Sequence, residues 1–195
     1  RQPGYTDAMR VLILGCGYVG MPLGAELAWQ GHEVFGVRRS DSADSELRAV
    51  GIQPIAADVT QRETLDRLPA PFDWIVNLVS STGGGADRYR EVYFTGTRNL
   101  LDWLGSTPPK KFVYTSSTSV YGQTDGSLVK ETSPTEPAGE TGQWLVQTEG
   151  LLREAAQRTR FPAVLLRVAG IYGPGRGHLF KQYLDNTARI AGHGE

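Results

Sequence analysis

The sequence is poor in the features that mark secreted, membrane-spanning or polyanion-binding proteins. Its single cysteine, Cys16, excludes an internal disulfide, and this scarcity is typical of a reducing compartment, so we expect a cytoplasmic protein. No apolar run approaches the roughly 20 residues that a membrane-spanning helix needs. The formal net charge of −1 favours neither a nucleic-acid partner nor a membrane surface. The three histidines have no metal-ligand spacing, so we expect no metal site.

The chain has 195 residues, which is enough for one domain with a substantial core. Residues 1–8 contain no apolar segment, and we interpret them as an expression tag or a disordered N-terminus rather than a signal peptide. Neither an internal repeat nor a low-complexity tract is present. The fold is therefore expected to begin at Met9.

The most informative segment is a glycine-rich turn over residues 15–20 (GCGYVG), which directly follows the apolar run 11–14. The run predicts a buried parallel strand, and the residues after the turn predict a helix. Glycines here allow a tight turn, close approach of a pyrophosphate and close helix packing, while the helix N-terminus favours an anion. We predict a dinucleotide site, the alternative being a simple turn with Cys16 as a small filler. The predicted contacts are Gly15, Gly17, Tyr18, Val19 and Gly20.

Beyond the turn, predicted strands and helices alternate along the chain. Alternation favours parallel strands with right-handed crossovers, and the apolar strands indicate a sheet covered on both faces. We therefore predict an α/β Rossmann-type doubly wound parallel sheet, with ligands at the carboxyl ends of its strands. The predicted strands are 11–14, 32–37, 53–57, 74–79, 111–115 and 163–168, and the predicted helices are 21–29, 45–50, 60–68, 87–104, 141–158 and 178–190.

Two arginines, Arg38 and Arg39, end the second predicted strand. An acidic residue in this place would bind the ribose hydroxyls of NAD, whereas arginine accommodates the 2′-phosphate of NADP. We therefore favour NADP, with NAD as the alternative cofactor. A solvated basic loop is the alternative interpretation of the pair.

Five further segments follow one another along the chain: Asp58-Val59, 77–80 (NLVS), 95–101 (TGTRNLL), 116–122 (SSTSVYG) and 167–174 (RVAGIYGP). Together they are similar to the extended short-chain dehydrogenase/reductase family, which includes nucleotide-sugar epimerases and dehydratases. The resemblance implies an NAD(P)-binding Rossmann domain over 9–175 and the start of a substrate-binding lobe over 176–195, with the rest of that lobe to follow. It also implies a small-molecule substrate, such as a nucleotide sugar.

The resemblance also implies site residues. Asp58 and Val59 would contact the adenine, and Ser117 would orient the substrate, unless it only caps the strand end. The residues that would lie beside the cofactor are Leu78, Val79 and Ser80.

The sequence departs from this family at the catalytic pair. The family uses Tyr-x-x-x-Lys, in which the lysine one turn later lowers the pKa of the phenol. Alignment on Glu149 places Thr141 and Leu145 at these positions, and no tyrosine in the chain is followed by lysine four residues later. Tyr93 and Gly170 replace two family asparagines. If another acid or base replaces the pair, Tyr121 and Tyr93 are the first candidates, because both are expected near strand ends that face the cofactor.

Two functions remain open on these residues. The first is an NAD(P)-binding epimerase- or dehydratase-like oxidoreductase acting on a sugar nucleotide or related hydroxylated substrate, with Ser117 and Thr141 in its catalytic site. The second is a catalytically inactive NADP-binding regulatory or sensor protein. Helices 87–104 and 141–158 occupy the places where family members form dimers, so we expect a homodimer anchored by exposed Trp103 or Val146, unless both are buried in the monomer.

Overall fold

A computed structural model describes residues 7–81 and 83–187. Within them, six strands form one parallel sheet in the order β3-β2-β1-β4-β5-β6, which confirms the predicted doubly wound α/β fold. The order reverses between β1 and β4, the switch point where such sheets bind ligands. The strands are β1 (Arg10–Leu14), β2 (Glu33–Arg38), β3 (Ile52–Ala56), β4 (Trp74–Asn77), β5 (Lys111–Ser117) and β6 (Ala163–Val168).

The helices follow the predicted alternation. A π-helical segment, Arg90–Thr95, joins α3 to α4, so the predicted helix 87–104 is continuous from residue 85 but locally wider. The predicted helix 178–190 is observed as far as Leu184, and residues 188–190 lie outside the described part of the chain. The helices are α1 (Gly20–Trp29), α2 (Asp44–Ala49), α3 (Gly85–Tyr89), α4 (Gly96–Leu104), α5 (Glu140–Thr159) and α6 (His178–Leu184).

The predicted helix 60–68 is wrong in type and in its start. The segment is a 3-10 helix, Arg62–Arg67, with Gln61 as its N-cap residue. The backbone N–H and hydroxyl of Thr60 donate to Oδ1 of Asp58 at 2.9 and 2.8 Å. Such local side-chain bonds compete with helix formation, which explains the later start.

The short helix α2 precedes this segment in the chain. Ala43 is its N-cap residue and makes no side-chain bond. The hydroxyl of the neighbouring Ser42 lies 2.9 Å from that of Ser40.

The core lies on both faces of the sheet. On one face, β1, β4 and β5 pack against α4 and α5, and on the other, β1, β2 and β3 pack against α1 and α2. Trp103 is half-buried against Phe72 in the first of these clusters, so its predicted exposure is wrong. Val146 is also half-buried. The dimer itself stays a prediction.

Among residues 7–81 and 83–187, no helix is both long and apolar enough to cross a bilayer.

Candidate functional site

A cleft of about 860 Å³ opens at the carboxyl ends of the strands. The predicted site residues that line it are Gly15, Gly17, Tyr18, Val19, Arg38, Arg39, Asp58, Val59, Leu78, Val79, Ser80 and Ser117. Gly20 and Thr141 are not among the lining residues. The structure thus brings together segments from five places in the sequence, while the roles of these residues stay predictions.

The three glycines of the turn have three different surroundings. Gly15 has φ +79°, and a Cβ there would lie 2.8 Å from the backbone of Leu78, so only glycine fits between β1 and β4. A Cβ at Gly20 would lie 2.9 Å from the carbonyl oxygen of Gly15, so this glycine packs α1 onto the turn instead of lining the cleft. A Cβ at Gly17 would meet no atom within 4 Å, which leaves space for a ligand.

The start of α1 faces this space. Val19 is its N-cap residue, and among the described residues no side chain caps the helix. The first N–H groups of a helix have no partner within it, and the helix dipole attracts negative charge to them. The turn therefore fits a phosphate group.

Cys16 is confirmed as a structural filler. Its side chain is fully buried, and a Cβ on Gly36 would lie 2.8 Å from its Sγ. Burial raises the pKa of the thiol to about 11, despite the positive charge of Arg38 nearby. Cys16 is therefore a neutral thiol at physiological pH and not a nucleophile.

The two arginines lie at one end of the cleft. Nε of half-buried Arg38 donates to the carbonyl oxygen of Cys16 at 2.5 Å, which holds this side chain against the glycine turn. Arg39 is exposed, and Ser40 also lines the cleft. In the part of the chain that the structure describes, neither arginine forms an ion pair, so both charges are available to an anion.

Asp58 and Val59 are positioned by contacts with distant residues. The backbone N–H of Asp58 bonds the hydroxyl of Thr64 at 2.9 Å. Nδ2 of Asn99 donates to the carbonyl oxygen of Val59 at 2.9 Å, and a Cβ on Gly96 would lie 2.8 Å from Val59. The glycine and asparagine of the segment 95–101 therefore hold the end of β3 against α4.

Asn77 organises the end of β4. Its buried side chain accepts a bond from the N–H of Val79 at 3.1 Å, and its carbonyl oxygen accepts from the hydroxyl of Thr115 at 2.7 Å. These bonds turn the chain after β4 and place Leu78, Val79 and Ser80 along the cleft.

The structure shows the cap predicted for Ser117, while its role in orienting a substrate stays a prediction. It lines the cleft, and its Oγ accepts from the N–H of Ser119 at 3.1 Å, which caps a short 3-10 turn. Leu145 also lines the cleft, with only 3% of its surface exposed. Thr141 is half-buried in the first turn of α5 and lies outside the cleft lining.

Tyr93, which replaces a family asparagine and is one of the two candidate phenols, lies in the cleft. It lies in the π-helical segment, lines the cleft, and accepts a bond from the N–H of Ser81 at its phenol oxygen, at 3.2 Å. Its ring packs 4.9 Å from that of Tyr89, centroid to centroid. π-Helical segments are frequent at functional sites, but their extra residue per turn gives no clear sequence signal. Arg88 and Arg176 also line the cleft, although the sequence pattern did not identify them as site residues.

A buried ion pair joins α5 to β6 outside the lining of the cleft. Glu149 is fully buried, and Arg167 donates from Nε to its Oε1 at 3.0 Å and from Nη2 to its Oε2 at 2.7 Å. Arg153 adds a further bond of 2.7 Å to Oε2. Burial alone would raise the pKa of Glu149, but the bonds from Arg167 and the two positive charges lower it below its ordinary value.

The same arginine holds Tyr121. Nη1 of Arg167 donates to the phenol oxygen of Tyr121 at 2.8 Å, and that phenol donates to the carbonyl oxygen of Lys130 at 2.9 Å. Tyr121 does not line the cleft, so the expectation that it faces the cofactor is wrong. Its phenol therefore links Arg167 of β6 to Lys130 in the loop before α5.

The donor set fits a dinucleotide better than a metal ion. Gly17 leaves open space beside the start of α1, and unpaired arginines lie at the end of β2. Within the two described stretches of chain, no group of three or more His, Cys, Asp or Glu side chains could hold a metal ion.

Comparison with known sequences identifies a family and several relatives of this chain. A model of the NAD dependent epimerase/dehydratase family matches residues 11–190. Protein YeeZ of Escherichia coli K12 is 30% identical over 190 residues, which cover 95% of this chain and 66% of YeeZ. The dTDP-6-deoxy-L-talose 4-dehydrogenase (NAD(P)(+)) of Kitasatospora kifunensis is 29% identical over 182 residues, which cover 89% of this chain and 56% of that enzyme.

Solved structures agree with the sequences. A Methylobacillus flagellatus protein described as an NAD-dependent epimerase/dehydratase matches with a TM-score of 0.74 and 33% identity, over 90% of this chain and 59% of that one. A UDP-galactose 4-epimerase matches with a TM-score of 0.77 over 91% of this chain and 62% of that one; at 21% identity it shows the fold alone. The chain spans less than two thirds of the length of each of these relatives. Because the family model matches most of the chain, this protein belongs to the NAD-dependent epimerase/dehydratase family.

Proposed function

We propose that this chain binds NADP and forms the cofactor half of an oxidoreductase of the epimerase or dehydratase type. The observation that carries the proposal is a single cleft that joins the glycine turn, two unpaired arginines and Ser117. Its substrate is a nucleotide sugar or a related hydroxylated molecule. The dTDP-sugar and NAD(P)(+) in the name of the Kitasatospora kifunensis relative support this substrate and cofactor class.

The residues divide the cleft into two ends. Gly17 and the start of α1 suit the diphosphate, and Arg38 and Arg39 suit a phosphate on the adenosine ribose. A nicotinamide, when bound, supplies a hydride acceptor and donor for a substrate carbon. We assign Ser117 and Tyr93, which also line the cleft, to the substrate.

Tyr93 is the phenol that we propose for proton transfer in place of the missing tyrosine-lysine pair. Its oxygen accepts an N–H bond from Ser81, and such a donor stabilises negative charge that develops during proton transfer. Ser117 would hold the substrate hydroxyl. Tyr121 is a poorer candidate, because Arg167 and Lys130 occupy its hydroxyl outside the cleft lining.

The second candidate is an NADP-binding regulatory or sensor protein without turnover. Leu145 favours it, because an apolar side chain lies in the cleft where the family resemblance expects a lysine. Loss of the activated phenol removes a contribution typically worth about 10²–10⁴-fold. For this reason we expect weak or absent turnover in standard nucleotide-sugar epimerase assays.

Cofactor titration followed by a substrate panel tests the proposal. We expect NADPH to bind, with any turnover of dTDP- or UDP-sugars lost on Tyr93→Phe while NADPH affinity is retained. Binding with no turnover on any substrate would favour the sensor function. Absence of binding to either NADPH or NADH would refute both candidates.

A further inference from the structure

The segment that follows β6 returns to the glycine turn, from which it is more than 150 residues distant in sequence. The phenol of Tyr18 donates to the carbonyl oxygen of Pro174 at 3.0 Å. Gly173 and Arg176 exchange two backbone bonds of 2.8 and 2.9 Å, which close a tight turn at this point. The segment 173–176, which we call the GPGR turn, therefore lies against the mouth of the predicted diphosphate site.

The fit between these two turns is close. A Cβ on Gly173 would lie 2.5 Å from the phenol oxygen of Tyr18, so a larger residue there would displace the tyrosine. Gly175 has φ +69°, a conformation that favours glycine. Both glycines are therefore needed to bring residue 176 over the ring.

Arg176 lies on the face of Tyr18. Its Cζ is 4.6 Å from the centroid of the ring, and both side chains line the cleft. Across residues 7–81 and 83–187, the guanidinium of Arg176 forms no ion pair and no hydrogen bond as a donor. A planar cation on an aromatic ring is oriented at little entropic cost and keeps its N–H groups free for a ligand.

We propose that Tyr18 and Arg176 cover the dinucleotide diphosphate, with Arg176 binding the phosphates on the side opposite to the glycine turn. This inference rests on the proposed function and adds a residue to it. The start of α1 contributes only about half a positive charge, whereas a diphosphate carries two negative charges. A guanidinium above the turn supplies the missing charge through paired bonds to the phosphate oxygens.

The proposal assigns different phosphate groups of the cofactor to three arginines. Arg38 and Arg39 recognise the 2′-phosphate at the adenosine end, and Arg176 recognises the diphosphate in the middle. Three ligands distinguish these contributions: NADPH, 2′-phospho-ADP-ribose and adenosine 2′-monophosphate. The first two contain a diphosphate, while the third keeps only the adenosine and its 2′-phosphate.

Competition titrations compare these ligands on the unmodified chain and on Arg176→Ala, Arg176→Lys and Tyr18→Phe. For Arg176→Ala we expect about ten- to hundredfold weaker binding of NADPH and 2′-phospho-ADP-ribose, and unchanged binding of adenosine 2′-monophosphate. Arg176→Lys retains charge without the planar fork, so its loss should be smaller. Tyr18→Phe keeps the ring but loses the bond to Pro174, and we expect an intermediate loss.

Arg62→Ala is the matched control, because it removes a half-exposed arginine that pairs with Asp66 and does not line the cleft. Thermal unfolding should be the same for Arg176→Ala and the unmodified chain, since Arg176 is exposed. An equal loss for all three ligands, or a loss matched by Arg62→Ala, would overturn the role of Arg176. Normal NADPH binding by Arg176→Ala would overturn this inference alone, whereas no binding by the unmodified chain would overturn the proposed function as well.

Discussion

At the residue scale, the cofactor preference that we propose depends on two side chains at the end of β2. Arg38 is held against the glycine turn by its bond to Cys16, while Arg39 is exposed beside Ser40. An oriented guanidinium binds a phosphate better than a mobile one, because less side-chain entropy is lost on binding. We therefore expect Arg38 to contribute more than Arg39.

Changing both arginines to alanine should remove most of a preference for NADPH over NADH. Each charge-assisted bond is worth on the order of 1.5–3 kcal/mol, so the combined loss of NADPH affinity should exceed about tenfold. Calorimetric titration of both cofactors checks this, with Arg62→Ala as a control for net charge. Tighter binding of NADH than of NADPH by the unmodified chain would show that these arginines do not recognise a 2′-phosphate.

At the scale of elements, the glycine turn is arranged for ligand binding, whereas the α5–β6 pair contributes to the stability of the fold. The turn leaves backbone and space for a ligand, whereas α5 and β6 are joined by the buried Glu149–Arg167 pair. Arg167 also donates to the phenol of Tyr121, which in turn donates to the carbonyl oxygen of Lys130 in the loop before α5. Removal of one partner of such a pair leaves an uncompensated buried charge.

Gly17 and Gly20 provide a matched pair of substitutions within one turn. Gly17→Ala adds a Cβ into open space, so we expect unchanged stability and weaker NADPH binding. Gly20→Ala adds a Cβ only 2.9 Å from the carbonyl oxygen of Gly15, so we expect a lower melting temperature. Thermal unfolding and NADPH titration of both variants check this. Equal stability losses would mean that the space beside Gly17 is not open.

Glu149→Gln should destabilise the fold by on the order of 3 kcal/mol at neutral pH, because Arg167 loses its charged partner. The pKa of Glu149 is lower in the folded chain than its ordinary 4.5, so the unfolded chain binds more protons between these two values. This contribution to stability is complete above about pH 4.5 and is lost as the pH falls through the folded pKa.

Denaturant unfolding from pH 7 to pH 3 measures this dependence. We expect a shallower acid-induced loss of stability for Glu149→Gln than for the unmodified chain. Glu154→Gln is a suitable control, since Glu154 forms only an exposed pair with Arg158. The same slope in the unmodified chain and in Glu149→Gln would contradict the role given to the buried pair.

At the scale of the whole molecule, the cleft exists because the strand order reverses between β1 and β4. The ends of these strands meet where Gly15 approaches the backbone of Leu78, and the segments after β2, β3 and β5 surround that point. The relatives are longer than this chain, which spans 66% of YeeZ and 59% of the Methylobacillus flagellatus protein.

The homodimer is a prediction at this scale. We expect light scattering to report twice the monomer mass, with α3, α4 and α5 at the interface. Val146→Glu should yield a monomer with unchanged thermal unfolding if the half-buried Val146 contacts a partner. Trp103 is unsuited to this test, because it packs against Phe72 in the core. A monomeric mass at high protein concentration would contradict the prediction.

The sequence by itself determined the α/β order, the glycine turn and which segments follow the strands, although the predicted ends of β2, β3, β4 and β5 differ from the observed ends by one or two residues. These depend on apolar periodicity, glycine conformation and the parallel arrangement, all of which are local or follow from general rules. The helix 60–68 was wrong because the bonds of Thr60 to Asp58 are a local alternative that periodicity does not record.

Only the tertiary structure decided which side chains meet. Tyr93 enters the cleft through a π-helical segment, Arg176 stacks on Tyr18, and Arg167 pairs with Glu149. Tyr18 and Arg176 lie more than 150 residues apart, and no local pattern specifies their contact. Such contacts depend on how the twisted sheet brings strand ends together, and that geometry is a property of the whole fold.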